Sequence, residues 1–284
     1  ITLEANPGTV ERQFIREYAE AGVNRISLGI QSFNDAHLKR LGRIHTAHEA
    51  SQAIETVATH FENFNLDIIY GLPEQSINQA LADITQALSF NSTHLSAYNL
   101  TIEPNTEFAK FIPANLPNDD LCYAMQDQII NQLSAHGFQR YETSAYARKA
   151  HQAQHNLNYW QFGDYLGIGA GAHSKLSFHD QIIRQSRHKH PQEYMKRILN
   201  QQHILENSVV QKADLSLEFM MNALRLTNGF SNQLFSETTS LPFSHILPQL
   251  LDAQQQGFLE LTPTRIIPTE QGRDFLNNLL EIFM

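Results

Sequence analysis

Short apolar runs and longer amphipathic stretches take turns through the first half of the chain. Residues 1–6 read as a strand closed by Pro7-Gly8. Thr9 caps a predicted helix, with Arg12 or Gln13 in its first turn, Phe14, Ile15, Tyr18 and Ala19 on one face, and Gly22 at its end. Residues 24–30 form a second strand, and Asn34 or Asp35 caps a short helix running to Leu41-Gly42. Residues 46–61 carry Ala50, Ala53, Ile54 and Val57 at helical spacing. Residues 63–70 are a third strand closed by Gly71-Leu72-Pro73, residues 76–88 a helix, and residues 94–100 a fourth strand. Residues 119–136 form a long helix stopped by Gly137, residues 141–146 a fifth strand, and the glycine-rich residues 165–174 a sixth strand or a loop. Strands alternating with helices at this spacing predict an α/β fold with a parallel sheet and helical crossovers. An abrupt start inside a strand, with no Met, suits a partial (β/α)6 barrel that lacks its first strand or strands and has an upstream segment elsewhere. The rival is an open doubly wound sheet.

The pattern changes from about Lys212. Phe219, Met220, Ala223, Leu224 and Leu226 share one helix ended by Asn228-Gly229, and residues 243–256 form a second helix. Two short strands, residues 258–261 and 265–268, flank a turn at Thr262-Pro263-Thr264, and a helix over residues 269–283 closes the chain. This order predicts a small helical, winged-helix-like C-terminal domain over residues 211–284. A truncated barrel over residues 1–176 precedes it. The polar, His- and Gln-rich residues 177–210 read as a connecting segment.

Composition narrows the function classes. The chain carries 20 basic and 29 acidic side chains, a net charge of −9, so it lacks the basic footprint of a nucleic-acid binder. A DNA-binding winged helix would need a Lys/Arg stripe, which its helices lack, so packing or lid roles fit that domain better. No apolar run reaches a membrane span, and membrane contact is expected only through partners. A single cysteine, Cys122, forms no internal disulfide and fits a cytoplasmic setting. The 14 histidines exceed any pattern that would explain them.

In parallel α/β folds functional groups gather at the carboxyl ends of the strands. Glu4 and Asn6, Gln31, Asp67, Asn99 and Thr101, and Glu142 and Thr143 collect at those ends here. A polar side chain at the end of a buried strand needs a partner or a ligand. The glycines of Gly167-Ile168-Gly169-Ala170-Gly171-Ala172 resemble a dinucleotide fingerprint only superficially, because no helix follows. They are better suited to letting backbone approach a ligand or a neighbouring strand. His155-Asn156-Leu157-Asn158-Tyr159-Trp160 holds the one Trp beside a Tyr, five residues after a His. Such a segment packs a flat apolar ligand while imidazole binds its metal, or is a loop pinned by aromatic packing.

These stretches carry a resemblance. Glu4-Ala5-Asn6-Pro7, Gly22-Val23-Asn24-Arg25-Ile26-Ser27-Leu28-Gly29-Ile30-Gln31-Ser32-Phe33 and Asn65-Leu66-Asp67-Ile68-Ile69-Tyr70-Gly71-Leu72-Pro73 resemble radical S-adenosylmethionine proteins related to oxygen-independent coproporphyrinogen III oxidase. The likeness continues through Leu100-Thr101-Ile102-Glu103-Pro104-Asn105-Thr106, Tyr141-Glu142-Thr143-Ser144-Ala145-Tyr146-Ala147 and Leu276-Asn277-Asn278-Leu279-Leu280, so it spans nearly the whole chain. The segment from His155 to Trp160 is similar to the His-Asn-x-x-Tyr-Trp motif of the heme-chaperone (HemW) family, which the oxidases lack.

The resemblance implies S-adenosylmethionine and a [4Fe–4S] cluster at the barrel mouth. It assigns Glu4, Gln31, Arg43 and Asp67 to S-adenosylmethionine, with Thr101 and the backbone of Ala170, Gly171 and Ala172 near its adenine. Carboxylates accept from its amino group or ribose hydroxyls, and Arg43 grips its carboxylate. His155 becomes the candidate heme ligand, flanked by Tyr159 and Trp160. The implied function is heme binding and delivery to respiratory heme-accepting apo-proteins. The alternative is oxidative decarboxylation of coproporphyrinogen III to protoporphyrinogen IX by a 5′-deoxyadenosyl radical. A homodimer is left open. The family's Cys-x-x-x-Cys-x-x-Cys segment is not in this sequence. The resemblance therefore implies that the cluster ligands lie upstream of Ile1 and that this chain alone does no radical chemistry.

Overall fold

Every strand at the start of the chain is paired with the next one through a helical crossover. In the computed structural model β1 (Thr2–Ala5) is followed by α1 (Arg12–Glu20), β2 (Arg25–Gln31), α2 (Asp35–Arg40) and α3 (Ala47–Ala58). Then come β3 (Phe64–Tyr70), α4 (Ile77–Ser89), β4 (His94–Asn99), α5 (Glu107–Lys110), α6 (Asp119–Ala135), β5 (Gln139–Arg140) and β6 (Ala145–Ala147). The structure describes residues 1–9, 12–104, 106–200 and 202–284. The cap expected of Thr9 and the first-turn roles expected of Arg12 and Gln13 lie outside the side chains described.

Local sequence sets the crossover helices. Thr46 and Glu49 form a reciprocal capping box that starts α3, and Ser76 and Gln79 form another that starts α4. Asn34 accepts from the amides of Ala36 and His37 at the start of α2. Asn118 caps α6 through the Leu121 amide.

The sheet order is β1-β2-β3-β4-β6-β5. β1 through β4 are mutually parallel, with Leu3 beside Ile26, Ile26 beside Phe64 and Leu66 beside Leu95. One face buries Ile26, Leu28, Ile30, Phe64, Leu66, Ile68, Leu95 and Ala97 against Ile54 and Val57 of α3, Ile84 of α4 and Met125, Ile129 and Leu133 of α6. The fifth strand expected over residues 141–146 is replaced by a tight reversal. β6 runs antiparallel to both β4 and β5. Its turn closes because the Ser144 amide donates to Glu142 and the Arg140 guanidinium donates to the Thr143 carbonyl.

The chain divides into two compact units, Ile1–Gln152 and Ala153–Met284, earlier than the boundary expected at residue 176. The second unit begins with α7 (Gln154–Trp160), β7 (His173–Ser177), β8 (Ile182–Arg187), α8 (Pro191–Ile198) and β9 (Ile204–Val209). It continues with α9 (Leu215–Ala223), β10 (Phe230–Ser231), α10 (Asn232–Thr239), α11 (Leu247–Gln255), β11 (Leu259–Leu261), β12 (Arg265–Pro268), α12 (Glu270–Asp274) and α13 (Leu276–Glu281).

Residues 177–210, expected as a connection, instead supply β8, α8 and β9, and β7-β8-β9 is an antiparallel sheet. Residues 165–172 are a loop, and His173 and Ser174 begin β7. Tyr165 makes one bridge to Lys175, Gly169 and Gly171 take φ of +106° and +74°, and a Cβ on Gly167 would collide with the His173 carbonyl.

The winged-helix-like order is present as α9, α10 and α11 with the antiparallel sheet β10-β12-β11. Two of its helices differ from the expected ones. Residues 243–245 form a 3-10 turn before α11, which Pro248 opens in its first turn. The closing helix is broken at Phe275, whose backbone (φ −110°, ψ 43°) is not helical. Phe219 is fully buried at the centre of this unit. It packs edge-on against Phe162, Phe230 and Phe235 at centroid distances of 5.7, 4.9 and 5.2 Å.

Candidate functional site

The face of the first sheet opposite the helices is polar, and this is where the first unit concentrates its chemistry. Side chains alternate faces along a strand, so Glu4, Arg25, Ser27, Asn65, Asp67, His94, Ser96 and Tyr98 all point to this side. Asn65 is its hub. Its Nδ2 donates to Ser27 Oγ (2.9 Å) and Asp67 Oδ1 (2.7 Å). Its Oδ1 accepts from His94 Nδ1 (2.6 Å) and Ser96 Oγ (3.1 Å). With Nδ1 donating, His94 Nε2 is left to accept from the Tyr141 hydroxyl at 2.8 Å.

Burial pushes the Asp67 carboxyl up despite donors from Asn65 and Ser27. Burial together with Asp67 pushes the Tyr98 phenol up to about 12. Arg25 is 7% exposed, its Nε has no hydrogen-bond partner among the described residues, and burial draws its pKa down. The sequence reading named Glu4 and Asp67 but missed Arg25, Asn65, His94 and Tyr141. The signal was the strict alternation in Arg25-Ile26-Ser27-Leu28 and Asn65-Leu66-Asp67-Ile68.

At the carboxyl ends of the strands, Gln31 stands at φ +70°, after a register shift between Leu28 and Gln31 in the pairing of β2 with β3. Bulges and left-handed non-glycine residues re-aim side chains at functional sites. A Cβ on Gly29 would meet Gln31 Nε2 at 2.8 Å and Asn6 Oδ1 at 3.3 Å, so this glycine makes the hollow in which both amides sit. Arg43 Nη1 donates to Asn6 Oδ1 at 3.2 Å. Gln31, Asn6 and Arg43 are thus brought together. Glu4 shares the polar face with Asp67, and Thr101 is exposed past the end of β4 with its hydroxyl on the Asn99 carbonyl. Asp67 stands at the middle of β3 rather than at the carboxyl end expected for it, while a guanidinium and two amides meet at the end of β2. Together with Glu4 these groups offer donors and acceptors that suit a zwitterionic nucleoside such as S-adenosylmethionine.

An iron–sulfur cluster finds no such match. Cys122 is the one cysteine and sits in α6, and the described residues contain no group of three or more His, Cys, Asp or Glu placed to hold a metal ion. Ala170, Gly171 and Ala172 lie in the loop of the second unit.

In that second unit the segment from His155 to Trp160 is helical, forming α7, and is not the loop weighed from its composition. His155 and Tyr159 are one turn apart, so they share a helix face, with rings edge-on at 6.3 Å. Tyr159 continues edge-on to Tyr165 at 4.8 Å. Beside them is a cavity of about 240 Å³ whose walls include Tyr159, Trp160, Tyr165, Lys175 and Arg184.

Lys175 is fully buried, a position sequence gave no reason to expect of a lysine in β7. Its ammonium donates to the Phe162 carbonyl, Asp164 Oδ1 and Ser177 Oγ at 2.9–3.0 Å and lies 4.1 Å from the Phe162 ring centre. Burial lowers its pKa. Burial also favours protonated Asp164, but hydrogen bonds from Ser177 and Lys175 outweigh it and hold that carboxyl below the usual range.

The sequence model of the Radical SAM superfamily matches residues 1–86, and that of the HemN C-terminal domain matches residues 210–275. The chain is 46% identical over 286 residues to heme chaperone HemW of Haemophilus influenzae, covering all of this chain and 73% of that protein. It is 47% identical over 287 residues to heme chaperone HemW of Escherichia coli, covering all of this chain and 74% of that one. The chain belongs to the HemW family. Among solved structures, coproporphyrinogen III oxidase (HemN) from Escherichia coli superposes with a TM-score of 0.80 at 20% identity, over all of this chain and 69% of that one. That likeness gives the fold, a radical SAM α/β architecture followed by a HemN-type C-terminal domain. No helix among the described residues is long and apolar enough to cross a membrane.

Proposed function

We propose that this protein binds heme through α7 and hands it to respiratory heme-accepting apo-proteins. The observation that carries the reading is the helix itself. It sets His155 one turn from Tyr159, which walls a cavity together with Trp160 and Tyr165. A neutral imidazole is a heme-iron ligand, and an aromatic wall supplies the apolar contact a porphyrin face needs. The relatives' description as heme chaperones supports the same reading.

The first unit's strand ends are the S-adenosylmethionine site in this reading. Arg43 and Asn6 hold the amino-acid end, Gln31 donates or accepts and Glu4 accepts beside it, and Asp67, held by Asn65 and Ser27, accepts from a ribose hydroxyl. Thr101 lies toward the adenine. When bound, that cofactor supplies a sulfonium centre, and the residues described here bind and orient it.

Titrating the protein with hemin tests the reading. A saturable Soret shift with a stoichiometry near one supports it. Absence of saturable binding contradicts it.

A further inference from the structure

α7 is seven residues long, too short to keep its shape without tertiary contacts. Its last turn is closed by two hydrogen bonds. The Phe162 amide donates to the Tyr159 carbonyl at 3.0 Å, and the Gly163 amide donates to the Asn158 carbonyl at 2.7 Å. Such a closure needs a left-handed residue just past the helix, usually glycine, and here it is Phe162 at φ +59°. A bulky side chain in that region is strained and persists only where its surroundings hold it. Gly163 lies tight against the same turn, since a Cβ there would stand 2.2 Å from Asn158 Oδ1.

Lys175 grips the strained residue twice. Its ammonium donates to the Phe162 carbonyl at 2.9 Å and lies 4.1 Å from the centre of the Phe162 ring. Its other two protons go to Asp164 Oδ1 and Ser177 Oγ, both at 3.0 Å. Ser177 in turn donates to Asp164 from its amide at 2.8 Å and from its hydroxyl at 2.7 Å. The lysine thus joins the end of α7 to β7, and the Phe162 ring continues into the core against Phe219. A cation beside the final carbonyls of a helix also suits the sign of its dipole. Tyr159, whose carbonyl the closure holds, is the residue edge-on to His155.

We propose that Lys175 is the positioning residue for the His155 imidazole. It acts through Phe162 and the closing turn of α7 rather than on the ligand, because its three protons are spent on the protein. The proposal rests on the heme reading above.

Hemin is titrated into the full chain, Lys175→Met, His155→Ala and the double variant, followed through the Soret band. Leu250→Ala is the control, because it opens the buried core at α11 and leaves the α7 closure in place. A closure that stands open about nine-tenths of the time lowers apparent affinity about tenfold. Lys175→Met should therefore bind hemin about tenfold more weakly and move the Soret band toward its position in His155→Ala. In the double variant it should add less than about twofold to the loss from His155→Ala alone. Leu250→Ala should keep the parent's band and affinity.

A Lys175→Met with the parent's band and affinity overturns the proposal. So do losses that multiply in the double variant, which put the two residues on independent routes. A Leu250→Ala that weakens hemin as much also overturns it, because the effect is then general destabilisation. Where Lys175→Met lacks the parent's far-UV circular dichroism, Ser177→Ala takes its place and removes one of the three acceptors. That variant should cost about threefold in hemin affinity with the same non-additivity, and no loss overturns the proposal. A parent protein that binds no hemin fails the heme reading instead.

Discussion

Replacing Asn65 with Leu keeps the number and branching of side-chain heavy atoms and deletes the centre of the polar face. Asn65 is 2% exposed and makes four side-chain hydrogen bonds. In the variant His94 Nδ1, on a residue 1% exposed, loses its Asn65 acceptor, and Asp67 loses its closest donor. Stranding a buried donor costs roughly 1–3 kcal/mol. One such donor, with the hold on Asp67 weakened, gives a loss of about 1–3 kcal/mol in the first unit. Native-state hydrogen exchange at the amides of β3 and β4 reads this unit directly. The same variant should weaken S-adenosylmethionine binding, since Asp67 is no longer held. A loss below about 1 kcal/mol would refute the buried network, because stranded groups that cost so little must already be solvated.

Other sites give independent tests. Burial pushes the Asp83 carboxyl up although Ser32 Oγ and the Phe33 amide each donate to it at 2.7 Å. A folded value above the unfolded one favours folding in acid, and that contribution is lost as pH rises through the folded value. Asp83→Asn should therefore gain stability relative to the parent from about pH 4 to pH 7; a urea-midpoint difference that is flat with pH would contradict this. Phe219→Ala empties the centre of a ring cluster and should cost about 3–5 kcal/mol in chemical denaturation, and a cost under about 1 would mean the cluster is loosely packed. Gln31→Gly and Gln31→Ala remove the same amide, but only glycine accepts φ +70° freely. The glycine variant should be more stable by about 1 kcal/mol in thermal unfolding, and equal stabilities would contradict the left-handed backbone.

Much of the first unit was legible because its signals are local. Thr46 with Glu49 and Ser76 with Gln79 start their helices by themselves, and Gly137 sits at φ +81° just after α6. The polar face was written in the same residues as a period of two. Reading polar groups only at strand ends found Asp67 and passed over Asn65 and His94, whose meaning depends on pairing across β2, β3 and β4. The reversal at β5 and β6 was hidden for a similar reason. Nothing in Tyr141-Glu142-Thr143-Ser144 excludes a strand until the Glu142 and Arg140 side chains bind the turn backbone.

In the second unit, α7 is short and rich in His, Asn and Tyr, so it has no apolar stripe of its own, and its helix depends on tertiary packing. Residues 177–210 looked like a connection because β9 is exposed along its whole length and needs no hydrophobic alternation. Gln31 was legible as a polar residue at a strand end, whereas Arg43 was found through the family resemblance. Their convergence on Asn6 required the bulge and the space left by Gly29.

The central claim is that α7 carries the heme ligand, and the most direct test is a hemin titration of His155→Ala beside the parent, followed through the Soret band. The account predicts that the variant loses the ligand-field shift of the band and binds at least about tenfold more weakly, with far-UV circular dichroism unchanged. A Soret spectrum and affinity identical to those of the parent would contradict it.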